Sequence, residues 1–314
     1  MALACYAKMG GVPWLLKSSP TLAHELVIGI GSANIGQERG VDSQRIMGIT
    51  TVFSGDGSYI VSNTSKAVVP DAYCDALTSV LGETIEKIQK RMNWQKGDTI
   101  RLIFHAQVKT FNKDEIAAVR AVIDGYEAAR AANGARDARH RIEHIDMLHP
   151  DDLPRLRDLG VIASMQPTHA TSDMGWAEQR VGPERILGAY AWQRFLHSGA
   201  RLALGSDFPV ENVDPRLGLY AAVTRQDRDG QPPGGWQPEQ RLSAAEALRG
   251  FTSDAAWAGH DEAQVGKLQR GLRADFVVLD RDPLKVAADQ LDDLKVLSTW
   301  VDGEPVYKAA TPEG

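Results

Sequence analysis

Within residues 104–126 the chain changes the way its strands are connected, and this limits it to folds assembled from two differently wired parts. Before that stretch, strand-like runs follow one another through turns. Residues 25–33 (ELVIGIGSA) are a continuous apolar run suited to a buried strand. Residues 45–53 (RIMGITTVF) are β-branched, Gly55-Asp56-Gly57 marks a turn, and residues 58–62 return as a third strand. Residues 71–93 carry helical spacing through Leu77, Val80, Leu81, Ile85 and Ile88, and residues 99–105 (TIRLIFH) form a fourth strand. Afterwards strand and helix alternate: strands at 139–145, 161–166 and 201–206, helices at 150–159 and 183–198, and a polar loop at 167–176 (PTHATSDMGW). Such alternation predicts parallel strands with right-handed crossovers, against antiparallel pairing in the first part.

Charge shifts at the same place. Residues 1–113 carry 8 Lys, 4 Arg and 9 acidic residues, a net +3; residues 114–314 carry 4 Lys, 19 Arg and 32 acidic residues, a net −9. Prolines divide 3 and 12. A coincident change in charge and composition marks separate units with different partners. The join itself is ordered: Asn112 is a possible helix cap, Asp114 and Glu115 favour a first turn, Ile116, Val119, Ile123 and Tyr126 share one face, and Gly134 ends the helix.

At 314 residues the chain holds one large domain or two ordinary ones. Its net charge of −6 excludes nucleic-acid binding by the whole surface but leaves the basic first third free for it. Cys5 and Cys74 provide neither a disulfide framework nor metal-ligand spacing, which suits a reducing cytoplasm. The opening MALACYAKMGGVPWLL has no basic leader, and residues 2–9 suggest a short helix ended by Gly10-Gly11. No apolar run approaches membrane-spanning length, so no membrane partner is expected.

The segments CYAKMGGVPW, HELVIGIGSA, RIMGITTVFSGDGSYIV and RLIFHAQVKTFNKDE, spread over the first third, resemble the PIWI domain of prokaryotic Argonaute proteins. The resemblance implies an RNase H-like fold. Active members cut nucleic acid with carboxylates that hold divalent metal. The corresponding positions here are Gly31 and His105-Ala106-Gln107, a departure that implies a nuclease-inactive module. Lys8 matches the family's lysine on the guide strand's 5′ phosphate, so single-stranded guide or target nucleic acid is the implied partner.

Histidine and aspartate recur at strand ends in the second part: His144, His169 just beyond a strand, and Asp207. In barrels of strand–helix units that face holds active sites. The motifs ARHRIEH, IASMQPTHATSDM, GARLALGSDFPVENVDPRLGLYAAVTRQ and GKLQRGLRADFVVLDRDPL resemble the amidohydrolase superfamily, in its N-substituted formamide deformylase-like branch, over about two thirds of the chain. The resemblance implies a zinc or other divalent metal held by His144 and Asp207, with Asp207 also the catalytic base, His169 lining the substrate pocket, and a small amide-type substrate. His105 is the candidate third ligand, at a fifth-strand position. The family's paired H-x-H ligands occur nowhere in the chain, which implies an incomplete metal site and impaired turnover.

The expected fold is therefore α/β: an incomplete RNase H-like segment (1–113) joined to a partial (β/α) amidohydrolase barrel (114–252), with a C-terminal segment (253–314) returning to small β-sandwich strands. The expected function is hydrolysis of a non-peptide C–N bond. The alternatives are a nuclease-inactive nucleic-acid-binding module and an inactive fusion of two truncated domains.

Overall fold

The computed structural model describes residues 24–35, 45–54, 59–66, 68, 72–94, 100–106, 113–208 and 210–310. Compactness divides the chain into one unit of Met1–Glu143 with Leu159–Val161 and a second of His144–Asp158 with Ile162–Gly314. The helix expected at residues 2–9, with Lys8 on it, and Gln107 lie outside the described residues.

In chain order the first unit contains β1 (His24–Ile35), β2 (Arg45–Ser54), β3 (Tyr59–Thr64), α1 (Tyr73–Arg91), β4 (Ile100–Ala106), α2 (Lys113–Asn133) and β5 (Arg141–Glu143). Its strands lie in the order β3-β2-β1-β4-β5. The β1–β2 and β2–β3 pairs are antiparallel, as the turn-linked runs predict, while β1–β4 and β4–β5 are parallel. Gly31 stands mid-strand, opposite Ile49. Leu26, Ile28 and Val52 are buried on the sheet, and α1 turns Leu77, Val80, Leu81 and Ile88 inward. On α2 the buried stripe is Val119, Ile123 and Tyr126, three of the four residues whose spacing predicted it.

A side-chain clasp continues the β4–β5 pairing where the backbone ladder stops. His140 Nδ1 accepts the Leu102 N–H at 3.0 Å, and its ring stacks on Tyr126 with centroids 4.8 Å apart. The Tyr126 hydroxyl lies 3.2 Å from the Leu102 carbonyl oxygen and 3.3 Å from that of Arg141, so one O–H serves a carbonyl on each side. Burial pushes the Tyr126 phenol well above its usual value; Glu143 adds to the rise and Arg141 opposes it.

The second unit continues with α3 (Leu153–Leu159), β6 (Ile162–Met165), α4 (Pro167–Asp173), α5 (Ala177–Arg185), α6 (Trp192–Ser198), β7 (Arg201–Leu204), α7 (Pro215–Thr224), α8 (Ala244–Phe251) and α9 (Ser253–Ala258). It ends with β8 (Phe276–Leu279), β9 (Val296–Val301) and β10 (Glu304–Lys308), an antiparallel three-stranded sheet. Strands β6 and β7 pair in parallel from Ile162↔Arg201 to Met165↔Leu204. Both are nearly all buried, as parallel strands covered by helices must be. Helix α6 stops at Gly199, whose left-handed backbone (φ 85°) closes the last turn. Asp214 caps α7, and Ser243 with Glu246 forms a capping box on α8.

Two expectations need correcting. The polar stretch after β6 is helix α4, started by Pro167 at its first position after an extended Gln166. The helix expected over 183–198 is interrupted: α5 kinks at Gly182, a 3-10 turn spans Ile186–Gly188, and α6 begins only at Trp192. The cause is tertiary. Ala189 bridges antiparallel to Met147, and a Cβ on Gly188 would fall 2.1 Å from the Leu148 carbonyl oxygen, so the chain there must run extended and close. No helix among the described residues is long and apolar enough to cross a membrane.

Candidate functional site

The site grows from the residue that follows β5. His144 and Ile145 both take left-handed backbone, φ 68° and 46°, an uncommon state for side chains with a Cβ and a strained one for a β-branched residue. The turn is held because the His144 N–H donates to the Ser164 carbonyl at 2.7 Å. It leaves the imidazole buried, with Nδ1 2.9 Å from Gln166 Oε1. An amide oxygen only accepts, so Nδ1 donates in this contact.

Helix α4 supplies the next group. The His169 ring lies almost parallel to that of His144, with centroids 5.5 Å apart and planes at 14°. Its Nε2 is 3.8 Å from Asp207 Oδ2, too long for a hydrogen bond and close enough for electrostatic attraction. Burial lowers the His169 pKa while Asp207 pulls it upward, so the ring is neutral at pH 7. Asp207, three residues past β7, is itself left-handed (φ 57°), with its side chain 27% exposed. His144 and Asp207 thus meet the same residue, His169, from two sides.

Three further groups were not singled out from the sequence. Asp146, two residues past His144, is 3% exposed, and its Oδ1 has no hydrogen-bond partner. Burial raises its pKa well above the carboxylate range, and the charges of Asp173 and Asp207 raise it further. Asp173 closes α4 one turn after His169. Burial raises its pKa too, a hydrogen bond from Tyr190 opposes the rise, and Glu211 adds to it. The Tyr190 hydroxyl donates to Asp173 Oδ2 at 2.6 Å. Tyr190 is fully buried and left-handed (φ 46°). His169 and Asp173 stand four apart, so a helical reading of PTHATSD would have paired them; Tyr190 left no comparable signal. The arrangement is a partly exposed aspartate beside a neutral imidazole, with a buried aspartate behind them whose pKa burial raises. Such a set can take a proton from water and return one.

The expected metal ligands were His144, Asp207 and His105. His105 lies in β4 in backbone register with Glu143, and its side chain is outside the described set. Among the described residues no group of three or more His, Cys, Asp or Glu side chains is placed to hold a metal ion. The described donors by themselves therefore do not make a metal centre.

Residues 107–307 match the family model of the Amidohydrolase family, about two thirds of the chain. The N-substituted formamide deformylase of Arthrobacter pascens is 34% identical over 195 residues, covering 61% of this chain and 35% of the relative. Over 105 residues the chain is 42% identical to the Protein argonaute of Cereibacter sphaeroides, 33% of this chain and 14% of the relative. Among solved structures, an uncharacterized metal-dependent hydrolase from Pyrococcus furiosus aligns with TM-score 0.50 and 33% identity, covering 66% of this chain and 38% of that one. The chain spans about a third of the length of the curated relatives it matches over its larger part. Its likeness to known proteins is thus of two kinds, hydrolase over the larger part and Argonaute over a smaller segment.

Proposed function

This chain belongs to the amidohydrolase family, and on that premise we propose that it acts on a small amide-type substrate, hydrolysing a non-peptide C–N bond with low turnover. The observation that carries the reading is the convergence of His144 and Asp207 on His169 inside the family match. Asp207 is the proton acceptor for the attacking water. Neutral His169 lines the substrate side, and Asp146 is buried behind it. A divalent metal, zinc first, would supply carbonyl polarisation and a more acidic water. His144 and Asp207 are its proposed ligands, with the H-x-H pair missing from the chain. Low turnover follows from that gap.

Metal content and amide turnover measured together on the full chain test this. Zinc at one equivalent with turnover, both lost in His144→Ala and Asp207→Ala, would support the site and refute its impairment. Turnover unchanged in both variants would remove the assignment.

A second reading rests on the 42% identity to the Protein argonaute. In it, residues 1–113 form a nuclease-inactive, RNase H-like segment that holds single-stranded nucleic acid, with Lys8 on a phosphate. Binding would fall with salt at a slope of about −0.7 per phosphate contact. A Lys8→Ala variant with unaltered affinity and slope would discard that role. In the same reading residues 114–252 and 253–314 are the barrel and tail segments of the hydrolase, and the chain works in the cytoplasm.

A further inference from the structure

Tyr190 has more fixed contacts than a loop residue needs for packing alone. Its N–H donates to the Asp146 carbonyl at 2.9 Å, and its own carbonyl accepts from Arg225 Nη1 at 3.0 Å. Its ring meets Trp192 and Trp236 edge-on, with centroids 6.5 and 6.0 Å away. Arg225 is fully buried between the same two tryptophans, its guanidinium carbon 4.4 and 4.9 Å from their ring centres, and its Nη2 has no hydrogen-bond partner. A left-handed tyrosine, a fully buried arginine and an unsatisfied donor are each unfavourable. Together they hold one hydroxyl, and that hydroxyl holds Asp173. A short O–H···O⁻ contact of 2.6 Å is of the strong, charge-assisted kind.

We propose that Asp173 is a substrate-contacting carboxylate that accepts the N–H of a mono-substituted amide, and that Tyr190 is the positioning residue that aims it. Asp173 is half-buried, and its Oδ1 has no hydrogen-bond partner among the described residues. It lies on α4 one turn from His169, and with Asp207 it is one of the two charges that act on Asp146. No Lys or Arg pairs with it among the described residues. A carboxylate with one oxygen fixed and the other open, next to the proposed acid–base pair, favours a ligand that brings an N–H and discriminates against one that does not. The ligand class rests on the hydrolase reading, while the Tyr190–Asp173 contact does not.

The test uses the full chain as wild type, Asp173→Asn and Tyr190→Phe, with N-methylbenzamide and N,N-dimethylbenzamide as probes. Binding is read from protein NMR shifts, turnover from released amine, and the Asp173 carboxyl is titrated by its carbon resonance. Wild type is expected to bind the N–H amide about tenfold more tightly than the dimethyl amide. That ratio should fall severalfold in Asp173→Asn, whose amide keeps an acceptor oxygen but loses the charge and adds a competing donor. It should shrink in Tyr190→Phe, where the Asp173 titration midpoint should also rise because an opposing hydrogen bond is gone. A merely structural tyrosine would lower stability without moving the ratio. If Tyr190→Phe does not fold, Asp173→Asn still decides, since it differs only in the carboxyl group. No preference in wild type, no binding of either amide, or a ratio unchanged in Asp173→Asn overturns the inference. Selective binding without turnover leaves it standing and removes the hydrolase reading. Turnover of both amides independent of Asp173 does the reverse.

Discussion

Each unit buries a tyrosine, and the two hydroxyls serve different ends. Tyr126, in the first unit, offers its proton to backbone carbonyls at Leu102 and Arg141, beside a histidine that accepts a backbone N–H. These three hydrogen bonds all reach main-chain groups, and their effect is to hold parallel strands in register. Tyr190, in the second unit, gives its proton to the half-buried carboxylate of Asp173 and is itself fixed by a buried arginine. Around it lie a carboxyl oxygen and a guanidinium nitrogen without partners, and Tyr190 shares left-handed backbone with His144, Ile145, Asp207 and Arg225. Satisfied polar groups mark where a chain holds itself together. Unsatisfied and strained ones mark where it is arranged for something else.

The largest effect that would sharpen this contrast is catalytic. Asp207→Asn should lower amide turnover by about 10²–10⁴-fold, the usual contribution of a positioned base, with little change in the unfolding midpoint. Tyr126→Phe should leave turnover within about twofold of wild type, since it touches only structural contacts. A clear loss of turnover in Tyr126→Phe would break the division between the two tyrosines.

Next comes Arg225→Met, which keeps length and loses the donors. It leaves the Trp236 and Tyr190 carbonyls without their guanidinium, so urea denaturation should show a loss of about 2–4 kcal/mol. A neutral result would mean that the buried cation costs as much as its bonds return, and that it is kept for the site alone. His140→Ala should cost about 1–3 kcal/mol, because the Leu102 N–H then lacks its acceptor. Turnover should be unaffected.

The smallest effect concerns pH. The Tyr126 phenol is raised in the folded chain, while in the unfolded chain it ionises near pH 10. Above that pH the folded form still holds a proton the unfolded form has lost. This tyrosine's contribution is therefore fully present below about pH 10 and is lost as pH rises toward its folded value. Urea midpoints at pH 9 and 11 should fall more in wild type than in Tyr126→Phe, which at pH 9 should be only about 1 kcal/mol less stable. Equal falls would show that this phenol is not held as the structure has it.

Much of the fold was legible in the primary structure because its signals are local. The strands before and after Gly55-Asp56-Gly57, which itself lies outside the described residues, pair antiparallel, and Val119, Ile123 and Tyr126 are buried on α2. Apolar runs and capping residues report on their own neighbourhood, so α8 starts at its capping box. Of the site, His144, His169 and Asp207 could be named from motifs, and geometry brings all three together. Asp146 and Tyr190 could not be reached that way, and Asp173 only had PTHATSD been read as a helix. Asp146 matters because it is buried beside two other carboxylates, and burial is a property of what surrounds a residue. Tyr190 sits where a helix was expected, in a segment drawn straight by its approach to residues 146–148. Backbone propensity and side-chain spacing are written along the chain, whereas left-handed turns held by distant carbonyls and unpartnered charges arise only when remote segments meet. For this protein the sequence by itself determined the strands of the first unit, β6, β7, helices α1 and α2, and the three motif residues. Only the tertiary structure decided which carboxylates face one another and which hydroxyl holds them, because desolvation and hydrogen-bond geometry exist only between packed neighbours.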